Sequence, residues 1–243
     1  MLRLEGVRAS YGPIEVLFGI DLEIADGEMV ALLGTNGAGK TTILRVISGL
    51  LRSRSGTVEW EGESILGRKP AEIIRSGIVQ MPGGRGVFPG MTVEENLEVG
   101  GYLYGRDRPR LRASIDRALE LLPALAARRG QVAGSMSGGE QQMLALAKCF
   151  VMEPRLLLID ELSLGLAPKI VDELLDTVRR LNAEGVAVLL VDQHVDLALD
   201  LTKRAYFLER GEVRFSGSSK SLLGRDDLLR SVFLRGRTAA AGA

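Results

Sequence analysis

Apolar residues alternate with polar ones at Ile20, Leu22 and Ile24, and the pattern then changes to the unbroken apolar run Met29 to Leu33. Alternation predicts a strand with one buried face; a short continuous run predicts a strand buried on both. Asp26 and Gly27 supply a turn between them, so two strands meet there. Short apolar runs recur in "GIVQM" (77–81), "RLLLID" (155–160) and "VAVLLVD" (186–192), separated by helical patterns. That succession predicts a largely parallel sheet with crossover helices, an α/β fold.

The helices announce themselves by period and punctuation. Pro168 suits a first helical position and Gly185 a stop, and Ile170, Val171, Leu174, Leu175, Val178 and Leu181 form one stripe. A helix from Pro168 to about Glu184, packed on the sheet, follows. A long segment of mainly helical pattern lies between "GIVQM" and "RLLLID", with Leu111, Ile115, Leu119 and Leu122 on one face of "RLRASIDRALELL" (110–122). It reads as a helical lobe inserted into the α/β core. Thr92 and Glu95 form a capping-box pattern at one helix start within it.

Composition narrows the classes. A chain of 243 residues with 46% hydrophobic residues buries a large core, as one large domain or two small lobes. Lys+Arg and Asp+Glu both number 31, so no net field gathers nucleic acid or an anionic membrane. The single cysteine, Cys149, forms no internal disulfide and reads as a small apolar residue on a buried helix face. The start "MLRLEGVRASYG" lacks a signal-peptide run, and no segment approaches the ~18 uninterrupted apolar residues of a membrane span. If the protein serves a membrane, it does so from outside the bilayer. Residues 237–243, ending "TAAAGA", read as a disordered tail.

Two stretches carry chemistry. In "LLGTNGAGKTTIL" (32–44), Gly34, Gly39, Lys40 and Thr41 match G-x-x-x-x-G-K-[ST], directly after the Met29 to Leu33 strand. Ile43, Leu44 and Ile47 begin an amphipathic helix there. Glycines let backbone N–H groups approach phosphate oxygens, and the helix start adds partial positive charge. The predicted cradle is Gly34, Thr35, Asn36, Gly37, Ala38, Gly39, Lys40, Thr41 and Thr42. Lys40 would reach the β- and γ-phosphates of a nucleotide, and the Thr41 hydroxyl would ligate Mg²⁺. The apolar run Leu156 to Ile159 delivers Asp160 and Glu161 to the carboxyl edge of a strand, where open α/β sheets hold their ligands. Asp160 would hold Mg²⁺ through water, and Glu161 would accept a proton from the attacking water. Taken alone, the pair could instead cap the next helix or turn.

A second small turn, "GSMSGGEQQM" (134–143), opens another helix well downstream. With Gly34 to Thr42, "LLLIDE" and "SLGLAP" (163–168), its "SGGEQQ" falls in an order that resembles an ABC-transporter ATPase subunit, over essentially the whole chain before the tail. The resemblance implies one ABC ATPase domain over 1–236. A RecA-like P-loop core with an N-terminal antiparallel β subdomain would occupy about 1–83 and 153–236, and the helical lobe about 84–152. In that family two nucleotide-binding domains meet head to tail. Ser137, Gly138, Gly139 and Glu140 would then contact, in trans, the ATP held by the partner's phosphate loop, which gives the second glycine turn its purpose. Tyr11 resembles the aromatic that stacks on adenine. Ser163 to Leu166 resembles the loop by which the subunits sense each other's sites, and "VFPGMTVEENL" (87–97) the segment facing the permease.

Within the family, "SMSGGEQQML", "SLGLAP" and "GRGVFPGMTVEENL" look most like the ATPase subunits of branched-chain amino acid uptake systems, the LivF type. Related subunits serve other amino acids, amides and urea. The resemblance implies ATP with Mg²⁺, a second ATPase subunit in a homo- or heterodimer, transmembrane permease subunits and a solute-binding protein. It also implies a place on the cytoplasmic face of the membrane and no nucleic acid.

The chain departs from the family at several points. The position of the Mg²⁺-contacting glutamine is Gly83 here; Gln80 lies earlier, in the predicted strand, and does not inherit the role. Leu162 replaces the usual proline after the carboxylate pair, which implies a local backbone change. Counting back from "FLERG" (207–211), the position of the family's γ-phosphate histidine falls on Gln193, with His194 one residue further on. Gln193 is therefore the expected γ-phosphate contact. Two other classes compete: a non-transport ABC ATPase of DNA repair, chromosome organisation or translation, and a nucleotide-gated module with little hydrolysis. The first usually adds coiled coils, tandem domains or basic extensions, none of which this sequence shows. The second is left open by Gly83 and the residues around His194.

Overall fold

The computed structural model describes residues 1–84, 86–163, 165–192, 194–225 and 227–228. Gln193 and the tail at 237–243 lie outside the described residues. The strands are β1 (Leu2–Tyr11), β2 (Ile14–Ile24), β3 (Met29–Gly34), β4 (Ser53–Trp60), β5 (Glu63–Ser64), β6 (Ile78–Met81), β7 (Leu156–Asp160), β8 (Ala187–Val191), β9 (Arg204–Glu209) and β10 (Glu212–Ser218). The helices are α1 (Lys40–Ile47), α2 (Pro70–Arg75), α3 (Val93–Gly100), α4 (Arg108–Leu121), α5 (Pro123–Ala126), α6 (Gly138–Val151), α7 (Pro168–Ala183), α8 (Val195–Leu201) and α9 (Ser219–Leu223).

The strands form a four-stranded antiparallel sheet, β2-β1-β4-β5, and a six-stranded sheet, β10-β9-β3-β8-β7-β6. The turn at Asp26 and Gly27 is present, but the strands it joins do not pair with each other: β2 belongs to the first sheet and β3 to the second. Their patterns explain the parting. Alternating β2 buries one face, whereas every residue of β3 is buried, as a strand covered on both sides requires.

From β9 through β3, β8 and β7 to β6 the pairings are all parallel. Val191 is the register partner of both Leu32 on β3 and Asp160 on β7, so the carboxyl ends of three strands converge at one edge. On one face α1 buries Ile43, Leu44 and Ile47 in a core shared with Val30, Leu32, Leu158 and Val191 and with Leu2, Leu17 and Ile20 of the antiparallel sheet. On the other face α7 packs Val171, Leu174, Leu175, Val178 and Leu181 with Leu33, Ile159 and Leu190, while Ile170 is only partly buried. Each such side chain contributes about 1.5–3 kcal/mol of burial.

Helices α3 to α6 lie together in sequence between β6 and β7. In α4, Leu111, Ile115 and Leu119 are buried, and Leu122 just beyond it as well, in the same core as Met143, Leu144 and Ala147 of α6. Thr92 caps α3: its hydroxyl accepts from the Glu95 N–H, and the Glu95 carboxylate accepts from the Thr92 N–H. Cys149 is buried on α6, and burial pushes its thiol up to about 12.

Candidate functional site

The phosphate loop lies between the end of β3 and the start of α1, and its shape is enforced by neighbours. Gly39 has φ +107°, and a Cβ there would stand 2.7 Å from Leu17 Cδ2, so both backbone and space require glycine. The Ala38 carbonyl accepts from the Gly211 N–H at 2.9 Å, and the Gly39 carbonyl from the Ile43 N–H at 3.0 Å as α1 begins. Asn36 and Gly37, at the crest, are exposed, with Thr35 half-buried. Lys40 is buried and donates from Nζ to the carbonyls of Gly34 at 2.8 Å and Thr35 at 3.0 Å. Burial lowers the pKa of its ammonium, against the pull of Glu161, Asp160 and Asp192. Among the described residues, three carboxylates thus act on the Lys40 ammonium.

Asp160, at the end of β7, is also buried, and burial raises its pKa, partly offset by the hydrogen bond from Thr41. Thr41 Oγ1 donates to Asp160 Oδ2 at 3.0 Å. The loop and the neighbouring strand therefore place a hydroxyl and a carboxylate side by side, hard oxygen donors of the kind Mg²⁺ takes alongside substrate phosphates and water. Among the described residues no cluster of three or more His, Cys, Asp or Glu is grouped for a metal.

Glu161 follows with its backbone in the left-handed region, φ +54°, and its N–H donates to the Val191 carbonyl at 2.8 Å. A non-glycine residue there carries about 1–3 kcal/mol of strain. Leu162, beside it, is fully buried. Gly83 stands against the same carboxylate: a Cβ at this position would lie 3.7 Å from Asp160 Cγ and 3.8 Å from Oδ2, in ordinary contact. Position 83 borders the Asp160 carboxylate but offers it no side chain. Gln80 lies within β6, paired in register with Leu158, and its Oε1 is buried with no hydrogen-bond partner among the described residues.

Tyr11 ends β1 beside α1, its hydroxyl accepting from Arg45 Nη1 at 3.1 Å, and its ring remains partly exposed. The second turn is built differently. Ser137 caps α6, its hydroxyl accepting from the Glu140 N–H at 3.3 Å while Glu140 accepts from the Ser137 N–H at 2.8 Å. That backbone bond holds the Glu140 carboxyl below its usual pKa. Ser137 is exposed, Gly138 half-buried and Gly139 buried, where a Cβ would come within 2.6 Å of Ile170 Cγ2 on α7.

One group went unnoticed in the sequence. Asp192, at the end of β8, is 1% exposed and accepts from the Ser163 hydroxyl at 2.8 Å and from the His194 N–H at 2.9 Å. His194 Nδ1 lies 2.7 Å from Ser163 Oγ and 3.1 Å from Asp192 Oδ1. The available signal was a carboxylate ending a buried apolar run, the same pattern that marks Asp160.

Comparison with known proteins shows the family. The family model described as "ABC transporter" matches residues 17–163. The high-affinity branched-chain amino acid transport ATP-binding protein BraG of Pseudomonas aeruginosa is 42% identical over 236 residues, 97% of this chain and 100% of the relative. A probable branched-chain amino acid transport ATP-binding protein LivF of Archaeoglobus fulgidus is 37% identical, covering 92% of this chain and 94% of the relative. Among solved structures, the ADP conformation of an ATP-binding cassette of an ABC transporter superposes with a TM-score of 0.86 at 25% identity, covering 96% of this chain and 98% of that one. A dimeric post-hydrolysis cassette bound to ADP and Pi superposes with a TM-score of 0.75 at 25% identity, over 90% and 99% of the two chains. With a phosphate loop, a strand-end carboxylate pair and a capped Ser-Gly-Gly turn on this fold, the chain belongs to the ABC transporter family as an ATP-binding, ATP-hydrolysing subunit.

Proposed function

We propose that this chain powers an importer of branched-chain or other small amino acids, working in a dimer of ATPase subunits beneath two transmembrane permease subunits. The partner ATPase is a second copy or a related chain, and a solute-binding protein delivers the cargo. The named relatives support the cargo class, and among the described residues no helix is long and apolar enough to cross a membrane. The place for such a subunit is the cytoplasmic face.

The observation that carries the reading is the convergence of Lys40, Thr41, Asp160 and Glu161 at the carboxyl edge of one sheet. The backbone of residues 34–42 receives the ATP phosphates, Lys40 exchanges its loop carbonyls for β- and γ-phosphate oxygens, and Tyr11 packs against adenine. Thr41 and, through water, Asp160 would hold Mg²⁺, which when bound neutralises phosphate charge. Glu161 orients the attacking water and takes its proton, and the amide of Gln193 donates to the γ-phosphate. Ser137 and the N–H groups of Gly138 and Gly139 contact the partner's γ-phosphate, with Glu140 holding that turn in shape, so closure of the dimer depends on ATP.

Glu161→Gln keeps the shape of the side chain and removes the base. ATP binding should persist while steady-state hydrolysis falls by on the order of 10²-fold or more, and an ATP-bound dimer should accumulate in light scattering. Hydrolysis at the wild-type rate would overturn the assignment of the base.

A further inference from the structure

The β7–β8 ladder runs from Leu156↔Ala187 to Asp160↔Val191 and is prolonged by the Glu161 N–H donating to the Val191 carbonyl. Beyond that point the ladder ends, and the chain continues in one loop with Glu161 and Ser163 and in another with Asp192 and His194. The Asp192 carboxylate spans the gap. Its Oδ1 and Oδ2 accept from the Ser163 hydroxyl at 2.8 and 3.0 Å, Oδ2 faces the Ser163 N–H at 3.4 Å, and Oδ1 accepts from the His194 N–H at 2.9 Å.

Proton counting fixes the rest. Serine has one hydroxyl proton, and the Asp192 oxygens can only accept, so Ser163 donates to Asp192. His194 Nδ1, 2.7 Å from Ser163 Oγ and 3.1 Å from Asp192 Oδ1, must then carry its own proton and donate into the pair. The arrangement is not that of a Ser-His-Asp nucleophile, in which aspartate and serine bind opposite nitrogens of the ring. Here both meet Nδ1, and Ser163 is buried.

We propose that Asp192 is a positioning residue for ATP hydrolysis: it clamps the loop that carries Glu161, through Ser163, to the loop that carries His194. The proposal rests on the reading of Glu161 as the base. A buried carboxylate satisfied from two loops gives those loops one shared geometry, and a base displaced by an ångström loses much of its effect.

The test is steady-state ATPase, as kcat and KM for Mg·ATP, on the full chain carrying Asp192→Asn, Ser163→Ala, Ser163→Thr and the Asp192→Asn/Ser163→Ala double substitution, with amide hydrogen exchange of residues 161–163 and 194. The clamp predicts that Asp192→Asn lowers kcat by on the order of 10-fold or more with KM within about 2-fold, since the loss falls on the transition state. Ser163→Ala should lower kcat in the same way, Ser163→Thr should restore it, and the double substitution should be no worse than Asp192→Asn alone. Exchange at 161–163 and at 194 should accelerate together in both deleterious variants. Unchanged kcat, losses that multiply in the double variant, or exchange that rises in one loop only would overturn the clamp. Should Asp192→Asn fail to fold, the Ser163→Ala and Ser163→Thr pair decides by the same criteria. Glu161→Gln run in parallel separates the two claims: full activity there refutes the base, and the exchange data then judge the clamp by itself.

Discussion

The chain contains two glycine turns, each at a helix N-terminus, and they are built to opposite plans. The phosphate loop is closed in on its own chain: Leu17 of β2 and Gly211, in the turn between β9 and β10, meet it, Lys40 is buried beneath it, and Thr41 meets Asp160 at the end of β7. The Ser137 turn is held by its own helix and by Ile170, and its serine faces solvent. The first brings together cation, hydroxyl and carboxylate. The second offers N–H groups and a hydroxyl, and its neighbouring cation, Arg128, lies 3.1 Å from Glu140 and is spent on it. A helix start of that kind stabilises a phosphate already held elsewhere. The difference teaches that a motif's function depends on what the fold packs behind it.

If the loop is completed from its own chain, the residue that ends the set should come from the β8 end. Gln193→Ala should therefore reduce hydrolysis by up to roughly 10²-fold, the scale of a lost transition-state donor. His194→Ala should cost less, because its ring is turned back onto Ser163 and Asp192. The reverse order would make the histidine the phosphate contact.

If the cap contributes to holding the second turn, a smaller effect follows. Glu140→Ala should lower stability by about 1 kcal/mol at neutral pH, the usual worth of a cap. The folded-state pKa of Glu140 lies below its ordinary 4.5, so its contribution is present above that value and lost as pH falls through the folded pKa. Urea midpoints of the two proteins should differ at pH 7 and converge in acid. An equal gap at both pH values would mean that packing, not the charged cap, holds the turn.

Sequence made the phosphate loop legible because its parts are contiguous and the strand before it is a single apolar run. Asp160 was readable for the same reason, as the end of such a run. The parting of β2 from β3 into two sheets was not, because Asp26 and Gly27 dictate a reversal of the chain and say nothing about which strand becomes the partner. Asp192 escaped because its contact with Ser163 spans 29 residues and that of His194 with Ser163 spans 31. Gly83 shows the intermediate case: counting along the chain brought it to the metal position, but only the fold shows it lying against Asp160.

The central claim is that the phosphate loop serves its own subunit and the Ser137 turn serves its partner. The most direct test is ATP affinity measured on the isolated monomer of wild type, Lys40→Ala and Ser137→Arg. Lys40→Ala should weaken binding by at least ~100-fold, through loss of charge-assisted bonds to the phosphates, while Ser137→Arg stays within about 2-fold of wild type. Equal loss in both variants would place the Ser137 turn on its own subunit's nucleotide and contradict the account.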